Sequence, residues 1–291
     1  IGDPIIAADN PDDLAIFSSK GPTDDGRVKP DILAPGTEIF STQSRVHLPI
    51  PDGRCIKNWS SWGSYSLGPN YATCAGTSMS TPHVAGIVAL TREYYITRKN
   101  IDPPSELVKA TLINSAMDIG YGIPSNESGW GRVNISKAFP SPEADIFFTD
   151  FNPGINTNEQ KRFILEVDSG TPFKATLVWT DKEGVVEAER ELVNDLDLVV
   201  TDPSGKKFNG NDLSTPFDDT RDELNNVEQV RIDYPVKGTY AITIKGFNVP
   251  VPPQTFAIVV SYKDDSGNGI TGRAGGPPKI CKKVPPFIGC S

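Results

Sequence analysis

Gly76-Thr77-Ser78-Met79-Ser80-Thr81-Pro82-His83-Val84-Ala85-Gly86 indicates a glycine turn that leads into an apolar helix. Gly76 permits a sharp turn, and Pro82 is tolerated only near the first turn of a helix because it lacks an N–H. The helix should therefore begin within a few residues of Ser78 and run to about Arg98. At a helix start the free amides and the dipole can stabilise an anion beside a hydroxyl. Ser78 is accordingly either a nucleophile or an ordinary N-cap serine.

The same run resembles the nucleophile motif of the subtilisin-like serine proteases, Gly-Thr-Ser-Met-Ala-x-Pro-His-Val-Ala-Gly, and only Ser80 departs from it. The match includes the residues that frame the serine, Gly76, Thr77, Met79 and Pro82. A motif of this length is far more specific than a lone Gly-x-Ser. The resemblance implies that Ser78 is the nucleophile of a serine endopeptidase that acts on polypeptide substrates.

Residues 1–140 resemble the C-terminal portion of the catalytic domain of that family. The blocks at 17–22 (FSSKGP) and 29–36 (KPDILAPG) match upstream family motifs, and residues 129–134 resemble the closing glycine turn. Short apolar runs at 5–8 and 14–17 predict buried strands, and residues 106–116 predict a second helix. The resemblance implies an incomplete, doubly wound α/β domain with the apolar nucleophile helix in its interior.

The expected catalytic partners of Ser78 are not in this sequence. The chain has two histidines, and His83 lies inside the motif, where the family uses it for packing. His47 lacks the family's context for a catalytic base and is interpreted as a loop histidine. Because the family order is Asp, His, Ser, the resemblance places the Asp, the His and the oxyanion Asn before residue 1. We therefore expect residues 1–291 to be inactive without an upstream portion of the same precursor.

After a proline-rich linker, residues 141–264 change to short strands separated by turn residues. Six runs predict strands, at 163–167, 175–179, 196–200, 227–232, 240–244 and 256–260. This pattern predicts an all-β sandwich of the jelly-roll kind. The segment resembles the C-terminal barrel of a branch of the subtilases, most specifically at 192–198, 210–212 and 225–228.

Asp195 and Asp197 lie two residues apart on a predicted strand, so both carboxylates point to the same face. Two like charges this close cost about 1 kcal/mol even in water, and something should offset that repulsion. Solvation or a nearby lysine is one explanation. The other is a structural calcium ion with oxygen ligands drawn from Asp195, Asp197, Asp212, Asn226 and Glu228.

Four cysteines, Cys55, Cys74, Cys281 and Cys290, allow three pairings if all are oxidised, and the simplest joins nearest neighbours. The last two lie in a Gly/Pro-rich tail, residues 265–291, that has no core-forming pattern. Asn58, Asn126 and Asn134 begin glycosylation triplets. Together these features favour a secreted or extracytoplasmic protein.

The net charge of −9 and a pI near 4.8 argue against nucleic-acid binding. No apolar run has the length of a membrane span. Two classes of function remain: a subtilisin-like serine endopeptidase, or a non-catalytic pseudoprotease or calcium-dependent β-sandwich binding module. The intact Gly-Thr-Ser-Met favours the endopeptidase.

Overall fold

The computed structural model describes residues 10–42, 55–56, 70–139, 145–212, 220–263, 281–284 and 287–290. Its helices are α1 (Thr77–Tyr94), α2 (Ser105–Ser115) and α3 (Ile135–Ala138), and a π-helical segment, Tyr95–Lys99, continues α1. The strands are β1 (Ile39–Thr42), β2 (Cys55–Ile56), β3 (Tyr71–Cys74), β4 (Asp145–Ile155), β5 (Gln160–Val167), β6 (Phe173–Val178), β7 (Asp195–Thr201), β8 (Lys207–Asn209), β9 (Val227–Ile232), β10 (Gly238–Asn248), β11 (Gln254–Tyr262), β12 (Cys281–Val284) and β13 (Phe287–Cys290).

The sheet beside the nucleophile helix has three strands in the order β1-β3-β2, and both pairings are antiparallel. The expected doubly wound parallel sheet is thus not found among the described strands. A buried strand at 14–17 was a wrong prediction, since these residues form a turn in which Ile16 is fully exposed. The Ser18 N–H donates to the Ala15 carbonyl at 2.8 Å, which closes a turn over residues 15–18. This turn replaces the predicted extended backbone. The run at 5–8 lies outside the described residues.

The boundaries of α1 agree with the sequence prediction, but its surroundings differ. The helix and its π-helical continuation end at Lys99, one residue beyond the predicted end. The expectation of an enclosed helix is not met by the described residues: Thr91 is the one buried residue of α1, and Leu90 is 50% exposed. Apolar residues on several faces of α1 are therefore not covered by the part of the chain that the structure describes.

In contrast, α2 is almost entirely buried, and it packs on a sheet of the following segment. One cluster joins apolar residues of α2 with Trp130 and with side chains of β6, β9 and β11, namely Tyr95, Leu107, Ala110, Ile113, Trp130, Val178, Val227, Ala257 and Val259. The helix starts at Ser105 after Pro104, one residue before the predicted start. The Ser105 hydroxyl donates to the Glu106 carboxylate.

Residues 145–263 form two four-stranded antiparallel sheets with the strand orders β5-β10-β7-β8 and β4-β11-β6-β9. All six predicted strands are present, whereas β4 and β8 were not predicted from the sequence. The two sheets share one large buried cluster that includes Phe163, Trp179, Leu198, Ile244 and Phe256. Alternate residues of β5, β6, β7, β10 and β11 enter this cluster, as expected when one face of a sheet is buried.

Polar contacts tie α2 to the sheet below it. The Asn114 side-chain amide donates to the Val259 carbonyl at 3.1 Å and to the Thr176 hydroxyl at 3.1 Å. Lys174 donates to the Ala116 carbonyl, at the C-terminal end of α2, at 3.0 Å. The outer face of the β4-β11-β6-β9 sheet is therefore not a free surface but part of a core that both predicted segments share.

Candidate active site

Ser78 is the second residue of α1, and its side chain is exposed. Gly76 precedes the helix with φ 149° and ψ 163°, a backbone conformation that favours glycine. The Gly76 carbonyl accepts the Met79 N–H at 3.0 Å, which closes the first turn around Ser78. Pro82 is the sixth residue of the helix and has no N–H to donate to the Ser78 carbonyl. Ser78 thus lies at the positive end of the helix dipole, where an anion is stabilised.

Gly36 supports this turn from the opposite side, a role that the sequence analysis missed. Its carbonyl accepts the Gly76 N–H at 2.7 Å. A Cβ at Gly36 would overlap the Ser80 Oγ and lie 2.9 Å from the Gly76 carbonyl oxygen. Only a glycine allows so close an approach of the two backbones. The Pro35-Gly36 dipeptide is the feature of the sequence that could have indicated it. The backbone of the nucleophile turn is therefore held in place by the chain at Gly36.

The segment 29–36 also connects this turn to the rest of the fold. Leu33 accepts the Val133 N–H at 2.8 Å and donates its own N–H to Gly131 at 2.9 Å. Asp31 forms an ion pair with Lys109 of α2 at 2.9 Å. At Gly129, with φ 58°, a Cβ would overlap the Pro30 carbonyl, so the predicted glycine turn lies directly against this segment. Position and orientation of Ser78 thus depend on contacts far away in sequence.

No histidine among the described residues forms a hydrogen bond with the Ser78 hydroxyl. His83 lies one turn further along α1 and is exposed, and its Nδ1 donates to the Met79 carbonyl at 2.8 Å. His83 thus forms a hydrogen bond within α1, to the backbone four residues earlier. His47 lies outside the described residues. The described part of the chain therefore supplies a serine at a helix start, and no base for it.

Two of the five candidate metal ligands, Asp195 and Asp197, contact an arginine whose role was not predicted from the sequence. Arg221 Nη1 lies 2.7 Å from Asp195 Oδ2 and 3.4 Å from Asp197 Oδ1. Its other terminal nitrogen contacts Glu223 at 2.5 Å, and the guanidinium carbon lies 3.4 Å from the centre of the Phe247 ring. Burial raises the pKa of Asp197 to about 6 in spite of this cation. Arg221 thus offsets the repulsion that the spacing of Asp195 and Asp197 predicted.

The remaining candidates do not complete a calcium site. Asn226 directs its amide nitrogen to the Trp179 carbonyl at 3.0 Å, and Glu228 Oε2 accepts the Leu198 N–H at 2.7 Å. Asp212 follows β8. Among the residues that the structure describes, no three His, Cys, Asp or Glu side chains are placed to hold a metal ion. In this structure the cation beside Asp195 and Asp197 is Arg221, and calcium in this segment stays a prediction of the sequence.

Of the disulfide and glycosylation candidates, all but Asn58 lie within the described residues. Cys74 is disulfide-bonded, and Cys55 lies directly opposite it in the register of β2 and β3. Cys281 lies opposite Cys290 in the β12–β13 hairpin. Asn126 is exposed, whereas the Asn134 side chain caps α3 because its Oδ1 accepts the Lys137 N–H at 3.3 Å. Asn58 lies outside the described residues.

Comparison with protein families adds an independent observation. Residues 5–131 match the family model described as "Subtilase family" (Peptidase_S8). This range includes Ser78, the segment 29–36 and the Gly129 turn.

No helix in the described part of the chain combines the length and apolar character of a membrane span.

Three curated proteins illustrate the similarity. The "Serine protease/ABC transporter B family protein tagA" of Dictyostelium discoideum is 33% identical over 271 residues, covering 84% of this chain and 15% of that protein. "Serine protease AprX" of Bacillus subtilis (strain 168) is 39% identical over 134 residues, 46% of this chain and 27% of its own length. The "Extracellular serine protease" of Serratia marcescens is 31% identical over 155 residues, 49% and 14% of the two chains. The chain therefore spans well under a third of each of these relatives.

Proposed function

We propose, from the membership of residues 5–131 in the subtilase family, that this chain carries the nucleophile of a serine endopeptidase and that Ser78 attacks the peptide carbonyl. The observation that carries the proposal is the placement of Ser78 at the second position of α1, behind Gly76. An alkoxide attacking a carbonyl generates an oxyanion, and the amides at a helix start stabilise such a charge. Polypeptides are the substrate class that the family implies.

The base that activates Ser78 comes, in this proposal, from an upstream portion of the same precursor. A serine hydroxyl needs a proton acceptor near neutral pH, and the only described histidine, His83, is bonded to the Met79 carbonyl. The exposed apolar surface of α1, including Leu90, is where that portion would pack. The chain alone is then inactive because the Asp, the His and the oxyanion Asn are contributed upstream.

Turnover of a denatured protein substrate by the complete precursor tests the assignment. Ser78→Ala should lower kcat by about a millionfold, the loss that removal of the serine causes in subtilisin. His83→Gln is the control, since its amide can also donate to the Met79 carbonyl, and kcat should stay within about threefold of the wild type. Retained turnover in Ser78→Ala, or an equal loss in both variants, contradicts the role of Ser78.

For residues 145–263 we propose a jelly roll. The strand orders β4-β11-β6-β9 and β5-β10-β7-β8 support it, because consecutive strands of the eight lie in different sheets except at the β7–β8 pair. A structural calcium ion in this segment stays a prediction of the sequence. Thermal unfolding of the chain in calcium and in EDTA tests it, and an unchanged Tm rejects calcium.

We also propose that the protein is secreted. The disulfide at Cys74 supports an oxidising compartment, as does the name of the Serratia relative. The proposed pairs are Cys55 with Cys74 and Cys281 with Cys290, in agreement with the strand registers. Of the two described glycosylation candidates, Asn126 is the better acceptor because the Asn134 side chain caps α3.

A further inference from the structure

Strand β3 leads directly into the turn that carries Ser78. Its last residue is Cys74, and only Ala75 separates Cys74 from Gly76. The strand is the central one of its sheet, with β1 on one side and β2 on the other. A displacement at the end of β3 therefore moves the backbone on which α1 begins, and Ser78 with it.

The contacts between β3 and β1 are not covalent. The antiparallel ladder of the two strands ends with Ile39 opposite Cys74, and just beyond it the Gly36 carbonyl accepts the Gly76 N–H at 2.7 Å. Three of the four residues of β1 are exposed, so little apolar surface is buried along this ladder. The β1 side thus guides the nucleophile turn without fixing the end of β3 firmly.

The β2 side of β3 carries a covalent bond. Cys74 is disulfide-bonded, and no cysteine in the described part of the chain is free. Strand β2 has two residues, and its register places Cys55 directly opposite Cys74. Opposite residues of an antiparallel pair have Cα atoms about 4.5–5.5 Å apart, within the range of about 4.4–6.8 Å that a disulfide spans. The backbone therefore places Cys55 within reach of Cys74.

The other cysteine pair offers a matched comparison. Cys281 and Cys290 lie opposite each other in the β12–β13 hairpin. These two strands form a sheet of their own, separate from the sheet of β3. A disulfide in this hairpin can stabilise the chain, but it does not belong to the strands that lead into Ser78.

We propose that the disulfide bond between Cys55 and Cys74 positions Ser78, so that the serine reaches its full reactivity only while this bond is intact. The inference rests on the proposed role of Ser78 as the nucleophile. The cross-link keeps β3 beside β2, and β3 in turn holds Gly76, from which the first turn of α1 starts. A reacting atom misplaced by about 1 Å can lose on the order of a hundredfold in rate. Cys55 and Cys74 are thus positioning residues that need not touch the substrate.

Reduction should loosen this arrangement without any mutation. Dithiothreitol breaks the bond between Cys55 and Cys74: each sulfur gains one electron and one proton, while the reagent loses two of each and closes to its cyclic disulfide. Oxidised glutathione reverses the change, because it takes up the two electrons and two protons and becomes two thiols. The nucleophile is then reactive in an oxidising compartment and impaired in a reducing one.

The rate at which a fluorophosphonate labels Ser78 in the complete precursor tests the inference, at a temperature below the Tm of every sample. Once alkylation and mass spectrometry detect both thiols after dithiothreitol, labelling should be slower by about tenfold or more, and reoxidation should restore it. Cys55→Ser/Cys74→Ser should be equally slow and should not respond to the reductant. The control Cys281→Ser/Cys290→Ser should be labelled, and should respond, like the wild type.

Three results would overturn the inference alone. They are equal labelling of Ser78 before and after reduction, a wild-type rate in Cys55→Ser/Cys74→Ser, and equal losses in the two double variants. A lower Tm with an unchanged labelling rate has the same meaning, because it shows a disulfide that only stabilises the fold. An unlabelled Ser78 in the untreated precursor refutes the proposed nucleophile itself, so the two failures are distinguishable.

Discussion

At the residue scale, the position of Ser78 depends on neighbouring residues that are not themselves catalytic. Gly76 supplies the backbone turn, and Gly36 lets two chain segments approach without a side chain between them. Met79 follows the serine, and its sulfur lies within 3.8 Å of the position that a Cβ would occupy at Gly76. We therefore expect a side chain at Gly36 or Gly76, or a change in the Met79 side chain, to displace the Ser78 hydroxyl.

Oxidation of Met79 is the change that can be made without mutation. The sulfoxide adds a polar oxygen beside the nucleophile turn, so peroxide should lower kcat of the complete enzyme. We expect a loss of about tenfold, equivalent to about 1.4 kcal/mol of transition-state stabilisation. Met79→Leu should remain active in peroxide. Full activity with Met79 demonstrably oxidised in a mass spectrum contradicts this arrangement.

Lys174 gives a pH dependence that is separate from catalysis. Burial lowers its pKa to about 8 from 10.5, with added repulsion from Arg231 and Lys137. Between these values the unfolded chain binds more protons than the folded one, so the free energy of unfolding rises with pH. We expect Lys174 to contribute a rise on the order of 2 kcal/mol. Denaturant unfolding at pH 8 and pH 10.5 should show a smaller rise for Lys174→Met, and an identical rise in both proteins refutes the assignment.

At the scale of elements, α2 carries the stability of the first segment because it packs on the second. Ile113 is 2% exposed in the shared cluster, so Ile113→Ala should lower the free energy of unfolding by about 2–4 kcal/mol. Leu90 of α1 is 50% exposed, and Leu90→Ala should cost less than about 1 kcal/mol in the chain alone. Denaturant titration of both variants measures the difference. Equal costs contradict the described packing.

The same elements illustrate what the sequence can predict. The start of α1 follows from Gly76 and Pro82, and six strands follow from short apolar runs between turn residues, because both signals are local. The exposure of α1 and the packing of α2 on β11 could not be predicted, since they depend on contacts between residues far apart in the sequence. The role of Arg221 could not be predicted for the same reason. It lies in an acidic stretch of sequence, and its contacts with Asp195 and Asp197 join residues more than 20 positions apart. Ser78 could be identified only because its motif is long and specific.

At the scale of the whole molecule, two segments share a core at α2, while α1 presents an apolar surface and a serine without a described base. Leu90→Ala should therefore lower the free energy of unfolding more in the complete precursor than in the chain alone, since the upstream portion would cover this residue. An unchanged cost in the precursor contradicts packing at this surface.

Labelling with a fluorophosphonate, followed by peptide mass spectrometry, tests the central claim that Ser78 is an activated nucleophile. In the complete precursor the label should be found on Ser78 and should disappear in Ser78→Ala, whereas the chain of residues 1–291 alone should remain unlabelled. A label on another serine, or an unlabelled Ser78 in a folded precursor that cleaves polypeptides, would contradict the account.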